Sequence, residues 1–395
     1  MADQPHATRH PQRRPKRVAA IALAALVAIA LMFGSGSIDL AAALRRAGID
    51  PALVLPTPPG PAVVERLAGG TFAVFFTTPE LVYPDVAKGR IAPAHERALL
   101  ADIEMARERI DLASFEYNLN SVADALVRAK ARGVRVRLAL DREVLEHPAA
   151  ARWAGIVEEA GIPVSWEQSD AFLHSKFVVI DGRVAWMGSW NVTVNDTYRN
   201  NNNLIRITAP AIVANYAAEF ERMAGGAFGN SKSGKTPYPL LRLDNGRIEH
   251  YFSPTEPISS RLVDWIGRAR SRVDVLAFSF TDDAVGDALM ARHQAGVPVR
   301  VVFERRNAAG IGSEYGRLQN AGLDVLKDGN CYTMHHKVII IDERVVITGS
   351  YNFTSRAEEL NDENLMIIES PAIARAYTAE FERVYQQAQW PPRCE

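Results

Sequence analysis

Two stretches of this chain repeat one polar spacing: "LHSKFVVIDGRVAWMGSWN" at residues 173–191 and "MHHKVIIIDERVVITGSYN" at residues 334–352. Both fit H-x-K-x4-D-x6-G-S-x-N, which sets His174, Lys176, Asp181, Gly188, Ser189 and Asn191 against His335, Lys337, Asp342, Gly349, Ser350 and Asn352. Such a doubled set can break a phosphodiester without a metal. One imidazole attacks phosphorus while a second protonates the departing oxygen, then activates water to release the phosphohistidine. Two lysines and two asparagines would hold the charge on the non-bridging oxygens. The scheme needs the two histidines on opposite sides of a single phosphate, so each copy supplies half a site.

The elements that must position these groups follow from local pattern. His174 and Lys176 stand two apart, as do His335 and Lys337, so on a strand each pair faces one side. His336 then faces the other side, where packing is its expected role. Apolar runs follow each pair, and Asp181-Gly182 is a hairpin turn signal that brings Gly-Ser-x-Asn back on the returning strand. A lone His-x-Lys at a strand start is ordinarily an exposed edge, and an Asp before Gly is ordinarily a turn; the turn reading holds in large part for Asp181 and Asp342. For the His and Lys, two copies of so long a spacing favour chemistry.

The duplication extends well beyond the motif. Residues Glu108–Arg142 align without gaps on Ser271–Arg305 at an offset of 163, pairing Asp111 with Asp274, Phe115 with Phe278 and Arg137 with Arg300. Downstream the offset is 161, pairing Asn203 with Asn364, Tyr216 with Tyr377 and Phe220 with Phe381. Runs such as "RVRLAL" and "PVRVVF" read as strands, and "SVADALVRAKARG" as a helix closed by Gly133. Strand, helix, strand implies right-handed crossovers and a helix-covered sheet. The expected domains are 71–222 and 248–390, joined by a connector at 223–247 and preceded by a Pro-rich tether at 38–70. Two copies about a pseudo-two-fold axis would complete one site.

On these residues the chain resembles the phospholipase D superfamily, whose HKD signature both motifs match; the likeness covers about residues 71–390. The resemblance implies an α/β class, with two tandem phospholipase D-like α/β/α sandwich domains forming a pseudo-two-fold dimer. It also implies phosphodiester hydrolysis through a phosphohistidine, with no metal, no cofactor and a site formed within one chain. By that similarity the catalytic set is His174, Lys176, Asp181, Asn191, His335, Lys337, Asp342, Asn352 and Glu363, with Ser189 and Ser350 on the substrate. His174 is assigned as nucleophile and His335 as acid then base, the reverse assignment being the rival. An acidic residue after each motif commonly orients the other half's histidine. Glu363 fits that role toward His174, whereas the first copy has Asn202 at the matching position, leaving His335 without its carboxylate or borrowing Asp196.

Composition limits the substrate only partly. The formal net charge is −1, but the first seventeen residues hold five basic groups against Asp3, which leaves −5 on the remainder. That balance argues against extensive phosphate tracking along a nucleic acid. The apolar run Val18–Phe33 behind the basic segment reads as an export signal or a membrane-anchoring helix within residues 1–37, cleaved or retained, with the body delivered outside. Cys331 and Cys394 are two unlinked thiols or one bridge. "GNSKSGKT" at 229–236 satisfies a phosphate-loop pattern, yet no strand precedes it and prolines follow, so it reads as linker. Trp186 and Trp190 line a lipid-accepting mouth or pack in the core. Phospholipid is the first expected substrate, with the membrane a partner. An extracellular endonuclease acting on nucleic acid, a phosphatidyl transferase such as a cardiolipin synthase, and a non-catalytic binding relic are the alternatives.

Overall fold

A computed structural model describes residues 62–63, 71–77, 83–243 and 246–394. The basic and apolar N-terminal segment and most of the Pro-rich tether lie outside the described residues. After a two-residue strand β1 (Ala62–Val63), the first half runs β2 (Phe72–Phe76), α1 (Ala94–Met105), β3 (Arg109–Ser114), α2 (Asn120–Ala131), β4 (Arg135–Asp141) and α3 (Pro148–Glu159). It continues through β5 (Val164–Glu167), β6 (Phe177–Ile180), β7 (Val184–Gly188), α4 (Val194–Tyr198), β8 (Asn203–Ile207) and α5 (Pro210–Ala224). The second half opens with an added strand β9 (Leu240–Leu243) and then repeats the plan as β10 (Gly246–Ser253), α6 (Ser259–Ile266), β11 (Val273–Ala277), α7 (Asp283–Gln294) and β12 (Val299–Phe303). It closes with α8 (Tyr315–Asn320), β13 (Asp324–Lys327), β14 (Lys337–Ile341), β15 (Val345–Gly349), α9 (Ser355–Glu359), β16 (Glu363–Glu369) and α10 (Pro371–Gln389).

The two sheets have the same strand order, β2-β8-β7-β6-β3-β4-β5 in one and β10-β16-β15-β14-β11-β12-β13 in the other, with β1 and β9 added at the β10 edge. In both, the motif strand pairs antiparallel with the strand after it and with the first crossover strand: β6 with β7 and β3, β14 with β15 and β11. Both faces of these strands are covered, which is why they read as unbroken apolar runs. In β6, Phe177 and Val179 face the centre of the molecule, while Val178 and Ile180 pack beneath α1, α2 and α3. In β14, Val338 and Ile340 face the centre, and Ile339 and Ile341 pack beneath α6 and α7.

The central core belongs to both halves. Phe177, Tyr216 and Phe220 of the first share one apolar cluster with Phe252, Tyr377 and Phe381 of the second. Apolar burial on this scale outweighs what any polar contact between the halves contributes, so the two motifs are held face to face by packing.

Two expectations change on contact with the structure, and a third point, left open by the sequence, is decided. The connector is more than a tether, because its residues 240–243 form β9 against β10. Lys232 of the phosphate-loop lookalike is buried, its Nζ 2.5 Å from both Glu219 and Asp362 and 3.0 Å from the Ser253 carbonyl oxygen. It therefore ties α5 of the first half to the residue just ahead of β16 in the second. Third, Cys331 and Cys394 form a disulfide across 5.3 Å between Cα atoms, so they are not free thiols.

Candidate active site

Each motif begins where its strand begins. His174 and His335 sit just ahead of β6 and β14, and isolated bridges from Leu173 to Asp362 and from Asn201 to Met334 stitch each histidine's segment to the other half. The consequence is an exchange of partners. His174 Nδ1 lies 2.8 and 2.9 Å from the two carboxylate oxygens of Glu363, at the start of β16. His335 Nδ1 lies 2.9 Å from Asn202 Oδ1, one residue before β8, and 3.7 Å from Asp196. Both rings thus present Nε2 away from the partner that fixes their tautomer.

The glycine and serine of each motif explain how those partners are held. A Cβ on Gly188 would lie 2.0 Å from the Asn203 carbonyl oxygen, and one on Gly349 would lie 2.1 Å from that of Asn364. Only glycine permits that approach. The next residue then reaches the partner: Ser350 Oγ donates to Glu363 at 2.6 Å, and Ser189 Oγ donates to Asn202 at 2.8 Å. Both serines are buried and engaged in this way, so they orient the histidine partners, where the resemblance implied contact with substrate.

The lysines are buried as well. Lys337 Nζ donates to the His335 carbonyl oxygen at 2.9 Å, and Lys176 makes the matching bond to His174. Phe115 and Phe278 lie against the two rings, with centroids 5.4 Å from His174 and 4.5 Å from His335. Burial, together with the charges of Lys176 and Lys337, holds both imidazoles well below their ordinary range. Charge from His174 adds to the depression of His335, so the two halves' motifs form one electrostatic unit. Burial pushes Lys176 down to about 8 and holds Lys337 well below its usual value. Burial also pushes Glu363 up to about 7, against the opposing pull of Lys176. A bound phosphate anion would offset this crowding of cations, and the site is in that sense poised for one.

The asparagines differ. Asn191 gives its side-chain amide to Asp196 at 2.8 Å and accepts the Glu116 N–H at 3.3 Å. Asn352 Oδ1 is buried with no hydrogen-bond partner among the described residues. Asp181 and Asp342, expected among the catalytic groups, are not brought to this cluster. They sit at the far ends of β6 and β14, in left-handed backbone at φ 53 and 55. Asp181 accepts the N–H groups of Arg107, Glu108 and Arg109 at 2.9, 2.7 and 2.9 Å, and Asp342 does the same for Arg270, Ser271 and Arg272. Their placement is that of turn clamps, which explains the Asp in the motif without chemistry.

His336 faces away, between Asn203 at 3.2 Å and Glu380 at 2.9 Å. Trp186 and Trp190 are core residues, donating to Asp102 at 2.8 Å and Thr197 at 3.1 Å, and neither forms a lipid mouth. An open cleft of about 290 Å3 adjoins His335 instead, lined in part by Glu116, Asp196, Glu304, Arg306, Asn307 and Thr333. Sequence reasoning missed Glu116 and Glu304. Their signal lay in the internal alignment, where Glu116 stands opposite Ser279 and Glu304 opposite Asp141.

The family described as Cardiolipin synthase, PLD-like domain, matches this chain twice, over residues 99–224 and 262–385. The human protein called mitochondrial cardiolipin hydrolase is 41% identical over 132 residues, which cover 33% of this chain and 52% of that one. A Rickettsia conorii protein called phospholipase D is 34% identical over 140 residues, covering 35% of this chain and 70% of its own. The chain spans about half to two-thirds of the length of the cardiolipin hydrolases it matches. Among solved structures, Haemophilus influenzae phosphatidylserine synthase aligns over 81% of this chain and 88% of its own with a TM-score of 0.59 at 12% identity, a likeness of fold.

Proposed function

The chain belongs to the phospholipase D superfamily, and from that premise we propose that it is a phospholipid-cleaving phosphodiesterase working through a phosphohistidine. The observation that carries the proposal is the exchange of partners, His174 with Glu363 and His335 with Asn202. It fixes one imidazole from each half where both feel the charges of Lys176 and Lys337.

In the first step His174 Nε2 attacks phosphorus as the bond from phosphorus to the leaving alcohol breaks. His335, protonated once the phosphate anion offsets Lys176 and Lys337, gives its proton to the departing oxygen. In the second step His335 takes a proton from water, the hydroxide attacks phosphorus, and the phosphorus–nitrogen bond breaks to return His174. Lys176, Lys337 and the side-chain Nδ2–H group of Asn352 hold the non-bridging oxygens. Glu363, ionised, accepts the Nδ1–H of His174 and stabilises its positive charge while the intermediate lasts.

The pairing supports His174 as the nucleophile, because the carboxylate stabilises a cationic phosphoimidazole better than the neutral Asn202 amide does. Phospholipid is favoured over nucleic acid by the carboxylates around His335 and by the names borne by the relatives. Export to an oxidising compartment is proposed on two grounds, the basic-then-apolar N-terminal segment and the disulfide.

The test is cleavage by the full-length chain, purified in detergent, of choline phospholipid, cardiolipin and plasmid DNA in excess chelator. Phospholipid should be cut and DNA spared, with His174→Ala and His335→Ala each removing turnover. Cleavage of DNA alone would favour the endonuclease. Loss of all activity in chelator, or substantial activity in either single variant, would sink the two-histidine mechanism.

A further inference from the structure

The two sides of the site are unlike, although duplication made them. On the His335 side lies the cleft of about 290 Å3. On the His174 side, Phe172 stands where the cleft has Thr333; its ring packs 5.2 Å from Phe115, with the Arg356 guanidinium 4.4 Å above it. Two of the three carboxylates of the cleft have no acidic counterpart across the pseudo-axis. Glu116 matches Ser279, and Asp196 matches Ala357. The third, Glu304, matches Asp141, and here the contrast is one of satisfaction.

Asp141 uses both oxygens on backbone N–H groups, those of Glu143 and Leu173, each at 2.9 Å. Glu304 uses one. Its Oε2 accepts from the N–H groups of Arg306 and Asn307, both at 2.9 Å, while Oε1 is buried with no partner among the described residues. The residue is only 2% exposed, so bulk water does not readily serve that oxygen. A buried carboxylate oxygen left in this way calls for a donor, and one bearing positive charge best.

We propose that this cleft seats the leaving alcohol, and that the alcohol it takes is small and carries a primary ammonium, as ethanolamine does. The inference rests on the reading of His335 as the proton donor, since the oxygen that receives its proton must lie on its side of phosphorus. From there the alcohol extends into the cleft, where its ammonium meets Glu304, Glu116 and Asp196 against a single guanidinium, that of Arg306. A trimethylated ammonium supplies the charge but no N–H for Glu304 Oε1. A glycerol head group supplies hydroxyls but no charge. A nucleoside phosphate brings an anion to three carboxylates and is repelled.

Vesicles holding phosphatidylethanolamine, phosphatidylcholine and phosphatidylglycerol in equal amounts, treated with the full-length chain in chelator, test it. Release of ethanolamine should exceed release of choline and of glycerol at least tenfold, and Glu304→Gln should cut that preference to threefold or less. Glu116→Gln, read in the same assay, should lower it in the same direction. Free ethanolamine should inhibit the wild-type chain more strongly than choline does. Turnover without an ethanolamine preference in the wild type, or a preference untouched in both variants, overturns the subsite and leaves the two-histidine mechanism standing. Absence of any phosphodiester cleavage refutes that mechanism, and this assignment with it.

Discussion

His174 and Glu363 lie 189 residues apart in sequence and 2.8 Å apart in space, one from each half of a duplicated chain. Because burial pushes Glu363 up to about 7, the carboxylate changes state in the range where the enzyme would work. Only the ionised form both accepts the His174 Nδ1–H and offsets the positive charge that the ring gains as Nε2 attacks. Activity should therefore fall as pH drops below about 7. Glu363→Gln should lower kcat by roughly a hundredfold or more and flatten that limb. Stability has the opposite sign. A carboxyl whose folded pKa is raised favours folding most below its unfolded value of about 4.5, and the benefit is lost as pH rises through 7. Relative to wild type, Glu363→Gln should gain stability between pH 4 and pH 8, by up to about 3 kcal/mol. A thermal melt series at both pH values checks it, and no relative gain would place the ionised carboxylate in a better-solvated setting.

Asn202 holds His335 with an amide oxygen at 2.9 Å where the second half offers a carboxylate. Asn202→Asp keeps the acceptor and adds a charge beside an imidazole that burial and the Lys337 charge depress. A neighbouring anion favours the imidazolium, so the His335 pKa should rise by roughly 1–2 units. His335 must carry its proton to act as acid, and activity should then persist to correspondingly higher pH. The measurement is the alkaline limb of the rate profile beside the titration of the His335 ring signals. A rise in the ring pKa with an unmoved limb would take the acid role away from His335.

Lys232 joins Glu219 and Asp362 at 2.5 Å each, with all three side chains buried. Burial alone would lower the lysine pKa, but the two carboxylates outweigh it and hold Lys232 above its usual value. Removing the cation strands Asp362, the residue before Glu363, and Lys232→Met should cost about 3–5 kcal/mol. Activity should fall further than stability explains, because Asp362 anchors the segment that presents Glu363. A melting point within a degree of wild type would show the triad to be dispensable. ATP should leave the melting point unchanged, since the lysine of the phosphate-loop lookalike is already spent on carboxylates.

Much of this was legible from spacing. The motif pair predicted two strands and the face shared by His and Lys, because period-two alternation and an internal repeat both survive in the letters, whereas Glu363 as the partner reached across the halves came from the resemblance to the phospholipase D superfamily. Ser189 and Ser350 were assigned to substrate because spacing says nothing about which neighbour a hydroxyl reaches. Asp181 and Asp342 travelled with the motif although they clamp a turn. Lys232 was hidden by its surroundings, since glycine, serine and proline on either side read as linker. Burial of such a lysine depends on α5 and the start of β16 converging, which is a tertiary fact. The cleft was invisible for the same reason, being assembled from separate segments of both halves.

The disulfide ties the C-terminal tail to the loop that leads into His335. Cys331 and Cys394 enclose a 63-residue separation that includes β14, β15, β16 and α10. Closing a loop of that length restricts the unfolded chain and stabilises the fold by at most about 4 kcal/mol on entropy alone. Reduction should lower the melting temperature, as should Cys394→Ser. The functional effect should be specific to one side. Cys331 lies four residues before His335 and two before Thr333, which lines the cleft, so loosening it should weaken discrimination among head groups more than turnover of the best substrate. His174 sits just ahead of β6 in the other half and should be unaffected, so its Nδ1 resonance should not shift on reduction. Equal losses of turnover and discrimination, with His174 shifting too, would mean that the bond supports the whole fold and has no particular hold on the His335 side.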